Sequence, residues 1–414
     1  MFRRNIEDNL RTALTDTPVV LLNGARQVGK STLAKRLVDA TGGYYLTLDD
    51  ATVLAAATSD PAGFVQGLEG MGVLDEVQKA PALFAAIKAQ VDRNRRPGRF
   101  LLTGSTNVLF LPTLAESLAG RMELITLMPL SQGERLNRRE IFVTAVFQEP
   151  LPVLVDAVQD DVDLLTKLTT GGFPEVIFRS TEQRRQAWFA AYVTAILQRD
   201  VRDLANITGL TEMPRLLTLL ATRTGALLNM AELGRASGIP HTTLNRYLSL
   251  LETTFLLQPL PAWSANLGKR LLKSRKIYLL DSGMTTYLTG QNRERLTTDN
   301  PLLGQLLETF VVAELRKQLT WADEAVTLFH FRTTTGGEVD IVMEDAQGRL
   351  VGIEIKAAAT VNPKDFSGLK TLAEMVGARF VRGIVLYRGE QPIPFGERYH
   401  ALPVSALWRY VQPA

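Results

Sequence analysis

The chain has 414 residues, 46% of them hydrophobic and 21% charged, and a net charge of +3 from 46 basic and 43 acidic side chains. That length exceeds what one core supports and predicts two or three domains; the composition is that of a folded protein, and the near balance of charge gives no general pull toward nucleic acid. The absence of cysteine excludes disulfides, thiolate metal sites and cysteine nucleophiles, and three histidines are too few for a His-rich metal site.

The start, Met1-Phe2-Arg3-Arg4-Asn5-Ile6-Glu7-Asp8, carries acids and no apolar run, unlike a secretory signal. The longest apolar stretches, such as 100–111, fall short of the roughly 18 apolar residues of a spanning helix. A soluble, cytoplasmic protein without membrane contact is expected.

Residues 1–135 alternate strand-like and helix-like segments. Strands are predicted at 18–23, 44–48, 71–74, 100–103 and 124–127, with helices such as 32–37 and 83–91 between them. This is the order of a parallel sheet flanked by helices. Between the first strand and its helix stands Gly24-Ala25-Arg26-Gln27-Val28-Gly29-Lys30-Ser31-Thr32, which matches the phosphate loop G-x-x-x-x-G-K-[ST]. The two glycines let the backbone curl its N–H groups toward phosphate oxygens, and the helix starting near Lys30 adds its positive end. Lys30 is expected on the β- and γ-phosphates of ATP, and the Ser31 hydroxyl on Mg²⁺.

The third strand runs into Asp75 and Glu76. Asp75 is expected to hold Mg²⁺ through water, and Glu76 to act as general base on the attacking water. The fourth strand ends in Thr103-Gly104-Ser105-Thr106-Asn107, where Ser105 or Thr103 could sense the bound phosphate. Arg121, closing Ser117-Leu118-Ala119-Gly120-Arg121, reads as an arginine finger for its own or a neighbouring site, or as a plain surface arginine.

Residues 136–160, with Pro150 and Pro152, read as a connector, and 161–265 as mostly helical. Residues 232–240 followed by 242–253 read as helix, turn, helix: Gly238 suits the turn and Pro240 the start of the second helix. Leu244, Leu248 and Leu251 give that helix a buried face, leaving His241, Thr242, Asn245 and Arg246 exposed and able to meet DNA. The basic run Lys269, Arg270, Lys273, Arg275 and Lys276 could be a wing gripping phosphates. Like the group Arg93, Arg95, Arg96 and Arg99, it could equally be a solvated surface. The segment resembles a winged helix, which implies either DNA contact or packing against protein.

Near residue 304 the pattern changes again. A helix at 306–319 precedes strands near 326–332, 338–343, 350–357 and 380–387, a third unit with its own sheet. Glu354 and Lys356 are two apart and so share one face of a strand. A hairpin turn at Asp345-Ala346-Gln347-Gly348 would bring Asp340 beside them, and Glu308 on the preceding helix could join. These residues resemble the PD-(D/E)xK nucleases, with Val339 where that pattern has proline. The resemblance implies Mg²⁺ on the acids, with Lys356 aiding the attacking water, or a nuclease core reused for binding.

The loop 24–32, Leu74-Asp75-Glu76-Val77-Gln78-Lys79, Leu102-Thr103-Gly104-Ser105, Leu118-Ala119-Gly120-Arg121, Gly171-Gly172-Phe173-Pro174-Glu175 and Gln198-Arg199-Asp200-Val201 together resemble the AAA-like bacterial and archaeal ATPases catalogued as AAA_14 with DUF4143, over nearly the whole chain. The resemblance implies an α/β P-loop NTPase sheet at 1–135, a connector and helical lid at 136–220, a winged-helix-like domain at 221–300, and an α/β restriction-endonuclease-like domain at 301–414. The Gly-Gly-Phe-Pro element is also similar to the lid motif of origin-binding and STAND-type ATPases, where such a turn lies near the nucleotide base; no second sensor arginine of the usual AAA kind is evident. Three activities stay open: an ATP-driven machine acting on DNA, branched or broken DNA included; a nucleotide-controlled switch or scaffold for a protein partner; and an ATP-gated defence nuclease. Analogy with AAA proteins adds a homo-oligomer, such as a ring.

Overall fold

The computed structural model describes residues 2–105, 118–155, 162–201, 211–296, 300–334 and 336–412. Thr106, Asn107 and Ser117 of the sequence motifs lie outside the described residues. The chain divides into two compact units, one of residues 1–130 with 251–256 and one of residues 131–250 with 257–414. Among the described residues no helix is long and apolar enough to cross a membrane.

The first unit is built on β1 (Val19–Asn23), β2 (Gly43–Thr47), β3 (Met71–Asp75), β4 (Phe100–Gly104) and β5 (Met122–Thr126). They form one parallel sheet in the order β2-β3-β4-β1-β5. All five predicted strands are present within two residues of their expected ends. β1 and β4 are buried throughout, because a parallel strand covered on both faces reads as a continuous apolar run. The helix Ala82–Arg93 contributes Leu83, Phe84, Ile87 and Val91 to the core around Leu21, Leu74, Phe100 and Leu102. Since all five strands run parallel, the C-terminal ends of β1, β3 and β4 open on the same edge of the sheet, the place where open α/β sheets take ligands.

In the second unit β6 (Leu257–Leu260) and β7 (Lys276–Leu279) make a two-stranded antiparallel ribbon. The mixed sheet holds β8 (Val326–Arg332), β9 (Glu338–Asp345), β10 (Leu350–Lys356), β11 (Phe380–Tyr387), β12 (Ile393–Pro394) and β13 (Tyr399–Pro403), in the order β12-β13-β11-β10-β9-β8. The helix Pro301–Leu319 packs Leu307, Phe310 and Val311 with Ile341, Met343, Val351 and Ile353. The helix Ser367–Val376 packs Leu369, Leu372 and Val376 with Val342, Leu350 and Val385. Alternation along β9 and β10 thus feeds two cores, one on each face of the sheet.

The same unit buries acids. Glu140, 1% exposed, accepts the Gly133 N–H at 2.6 Å. Burial, and then the nearby Glu314, pushes its carboxyl up to about 8. Because the folded value lies above the ordinary one of 4.5, its contribution to stability is complete below about pH 4.5 and is lost as pH rises toward 8. Glu140→Gln cannot ionise, so denaturant melts of the variant should decline less steeply between pH 5 and 8 than those of the parent. Parallel pH profiles would show that burial does not hold this proton.

Candidate nucleotide site

The loop between β1 and the helix Lys30–Thr41 needs backbone that few residues tolerate. Gly24 has φ 142°, Gln27 60° and Gly29 101°. A Cβ on Gly24 would run into the Leu127 carbonyl oxygen, so only glycine allows this approach. The loop is braced from the N-terminal segment: the buried Arg4 guanidinium donates to the Val28 carbonyl at 2.8 Å and to the Met128 carbonyl at 2.6 Å. Lys30 is 5% exposed and its ammonium donates to the Gly24 and Ala25 carbonyls at 2.9 and 2.8 Å. It is therefore folded back under the curl. The first turn of the helix leaves N–H groups without intrahelical partners, turned toward the same concavity.

Beside the loop, the Ser31 hydroxyl lies 2.9 and 3.1 Å from the two carboxylate oxygens of Asp75. Asp75 ends β3, is 4% exposed, and also accepts from Tyr45 at 2.7 Å, from Thr47 at 3.4 Å and from Thr103. Burial and the bond to Asp75 push the Tyr45 phenol well up, so it stays a donor. The oxygen pair Ser31 and Asp75 is the hard donor set that could hold Mg²⁺. Glu76 follows in the left-handed region at φ 59°, its N–H donating to Thr103 Oγ1 at 3.1 Å. Its carboxylate accepts from the Gln78 amide, and from Ser105 Oγ at 3.3 Å. Gln78 also bridges to Ser105 at 3.1 Å.

Ser31, Asp75, Thr103, Glu76 and Ser105 are thus linked by hydrogen bonds around one strand edge, and Lys30 stands next to Ser31 at the start of the helix. Arg121 makes its contacts elsewhere: its guanidinium chelates Asp92 of the helix Ala82–Arg93 at 2.5 and 3.0 Å and donates to the Ala119 carbonyl. Tyr45, Gln78 and Arg4 carry no site role in the sequence reading. Tyr45 and Thr47 alternate along β2 toward Asp75, a signal visible only once β2 is known to neighbour β3. Gln78 gives no such sign, because the left-handed turn at Glu76 is what sends it back.

The Gly171-Gly172-Phe173-Pro174 element is built for packing within the second unit. The Gly172 N–H donates to the buried Asp281 carboxylate at 2.7 Å, and a Cβ on Gly171 would strike that group. Phe173 sits among Trp188, Phe189 and Tyr192.

The helix–turn–helix is present as Met230–Ser237 and His241–Thr253, with Gly238 left-handed at the turn. Leu244, Leu248 and Leu251 are buried, whereas His241, Thr242, Asn245 and Arg246 are exposed. The basic run does not form a wing of free cations. Arg270 is bidentate on Glu344 at 2.6 and 3.0 Å and lies over the Phe329 ring. Lys276 is 4% exposed on its side chain, with its ammonium bound to Glu308, Glu338 and Asp340. These two are corrected from phosphate contacts to internal ion pairs: β7 carries Lys276 inward. Lys273 is exposed and Arg275 half-buried; the Lys269 side chain lies outside those described.

In the mixed sheet Lys356 pairs with Glu354 at 3.0 Å, as their spacing implied. Asp340 reaches β10 through a bulge: Phe329 faces Val342 and Phe331 faces Val339, so His330 alone opposes both Asp340 and Ile341. Asp340 Oδ2 then accepts the Ile355 N–H at 2.9 Å. Burial, and next the Asp340 charge, raise the carboxyls of both Glu308 and Glu354.

The chain is similar to several known proteins. A family profile described as an AAA domain matches residues 16–136, and domains of unknown function DUF8612 and DUF4143 match 162–295 and 303–407. An uncharacterized protein of Mycobacterium tuberculosis, Rv2008c, is 32% identical over 405 residues, 98% of this chain and 84% of its own. An uncharacterized protein of Methanocaldococcus jannaschii, MJ1544, is 21% identical over 321 residues, 75% of this chain and 68% of its own. Among solved structures, the Walker-type ATPase PABY2304 of Pyrococcus abyssi superposes with TM-score 0.42 and 15% identity, over 70% of this chain and 96% of that one. The Thermotoga maritima RuvB Holliday junction branch migration motor superposes with TM-score 0.30 and 18% identity, over 62% and 89%. With its phosphate loop at 24–32 and the acids of β3 beside it, the chain belongs to the AAA_14/DUF4143 family of P-loop ATPases.

Proposed function

We propose that the protein hydrolyses ATP with Mg²⁺ and couples turnover to DNA held by the helix His241–Thr253. The observation that carries the hydrolytic half is the hydrogen-bonded chain from Ser31 through Asp75 and Thr103 to Glu76, with Lys30 folded under the adjoining loop onto the Gly24 and Ala25 carbonyls. Lys30 would leave the Gly24 and Ala25 carbonyls for the β- and γ-phosphates, and Glu76 would take the proton of the attacking water. Mg²⁺, held by Ser31 and Asp75, would neutralise charge on the transferring phosphoryl group. Ser105 and Gln78 position the Glu76 carboxylate. The division at 135, 220 and 300 into ATPase core, lid, winged-helix-like and nuclease-like parts is the functional map of this reading.

The DNA half rests on Thr242, Asn245 and Arg246 sharing the exposed face of a helix whose other face is buried. The test is an ATPase assay with duplex, single-stranded and branched DNA, with Mg²⁺ and with chelator. DNA should raise the rate, and Arg246→Ala should reduce that stimulation. A rate indifferent to every DNA form removes this half and leaves the protein-partner switch.

A further inference from the structure

In the second unit, three carboxylates from two elements converge on one ammonium. Lys276 Nζ lies 2.9 Å from Glu308 Oε1 on the helix Pro301–Leu319, and 3.1 and 3.3 Å from Glu338 and Asp340 on β9. Of the three N–H donors of the ammonium, two are given to Glu308 and Asp340 as hydrogen bonds, and Glu338 adds an ion pair. Tyr278, two residues on along β7, donates to the same Glu308 oxygen at 2.5 Å. The other Glu308 oxygen lies against Gly225, where a Cβ would come to 3.0 Å. Asp340 spends its second oxygen on the Ile355 N–H. Glu354 is held by Lys356, which also faces Asp365 at 3.9 Å.

We infer that Lys276 is the resident cation of this cluster, occupying the position the acids would otherwise offer to a divalent metal, so that the second unit holds a nuclease-like sheet without cutting DNA. Mg²⁺ needs about six oxygens at roughly 2.0–2.1 Å. The acids are instead spaced for N–H···O bonds, and among the described residues no group of three or more His, Asp or Glu side chains is arranged to hold a metal ion. The lysine comes from the ribbon, outside the αβ segment that carries the acids, which is why the pattern Asp340, Glu354, Lys356 looks like a metal site until β7 is placed. A buried ammonium that completes three carboxylates also pins the ribbon to the sheet, since removing either side leaves uncompensated charge.

The test uses the full chain without nucleotide. Mn²⁺ titrated calorimetrically into wild type should show no stoichiometric site, and supercoiled plasmid with Mg²⁺ or Mn²⁺ should stay intact. Lys276→Met should lower the melting temperature by roughly 10 °C, and the double variant Lys276→Met/Glu308→Gln should recover part of it, because one orphaned carboxylate is gone. Stoichiometric Mn²⁺ binding or plasmid nicking by wild type, lost in Asp340→Asn, overturns the inference. So does a Lys276→Met protein that melts like the parent. Should that variant fail to fold, the wild-type titration decides alone.

Discussion

Glu76→Gln should bind ATP as tightly as the parent and turn it over slower by about two to four orders of magnitude, the usual share of a positioned general base. Glutamine has the same length and can keep the hydrogen-bonded place beside Ser105 and Gln78, but it takes no proton from water. The left-handed backbone at φ 59° is equally costly for both residues, so folding should not separate them. Phosphate release in single-turnover experiments, beside binding of a fluorescent ATP analogue, reads the two effects apart. A variant that hydrolyses at the parent rate would place the base elsewhere; one that loses binding as well would give Glu76 a structural role in the loop.

The strength of that prediction follows from what short-range chemistry can encode. β1 and β4 are buried on both faces and therefore appear in the sequence as unbroken apolar runs, and a glycine that must approach the Leu127 carbonyl cannot be replaced. Such features are local, and Lys30, Ser31, Asp75 and Glu76 were legible from them. Tyr45 and Thr47 were not, because their contact with Asp75 depends on β2 pairing with β3. The basic run shows the opposite failure. Arg270 and Lys276 each lie three residues from exposed Lys273, and charge density along the chain suggested a surface; yet their partners Glu344, Glu308 and Asp340 lie 32 to 74 residues off. Long-range ion pairing is invisible to a reading by neighbours. Likewise the bulge that turns Asp340 toward Ile355 is a property of ladder register, set by pairing and not by the side-chain pattern.

Lys30→Ala tests the cradle itself. A hydrogen bond to a charged group contributes about 1.5–3 kcal/mol, so losing the ammonium from the phosphates should weaken ATP binding about 10- to 100-fold. In the described structure the ammonium rests on the Gly24 and Ala25 carbonyls at 2.9 and 2.8 Å; binding must exchange these contacts for phosphate oxygens, which argues for the lower part of that range. Ligand stabilisation gives an independent measure. At ATP about 100 times the parent dissociation constant, binding stabilises the fold by about 2.7 kcal/mol, and after a roughly 10-fold loss of affinity by about 1.4 kcal/mol. The parent should therefore melt several degrees higher with ATP, while Lys30→Ala should show only about half of that shift. If the variant kept the full ATP-dependent shift, the loop from Gly24 to Thr32 would not be gripping phosphate through Lys30, and its curl would need another explanation than a nucleotide.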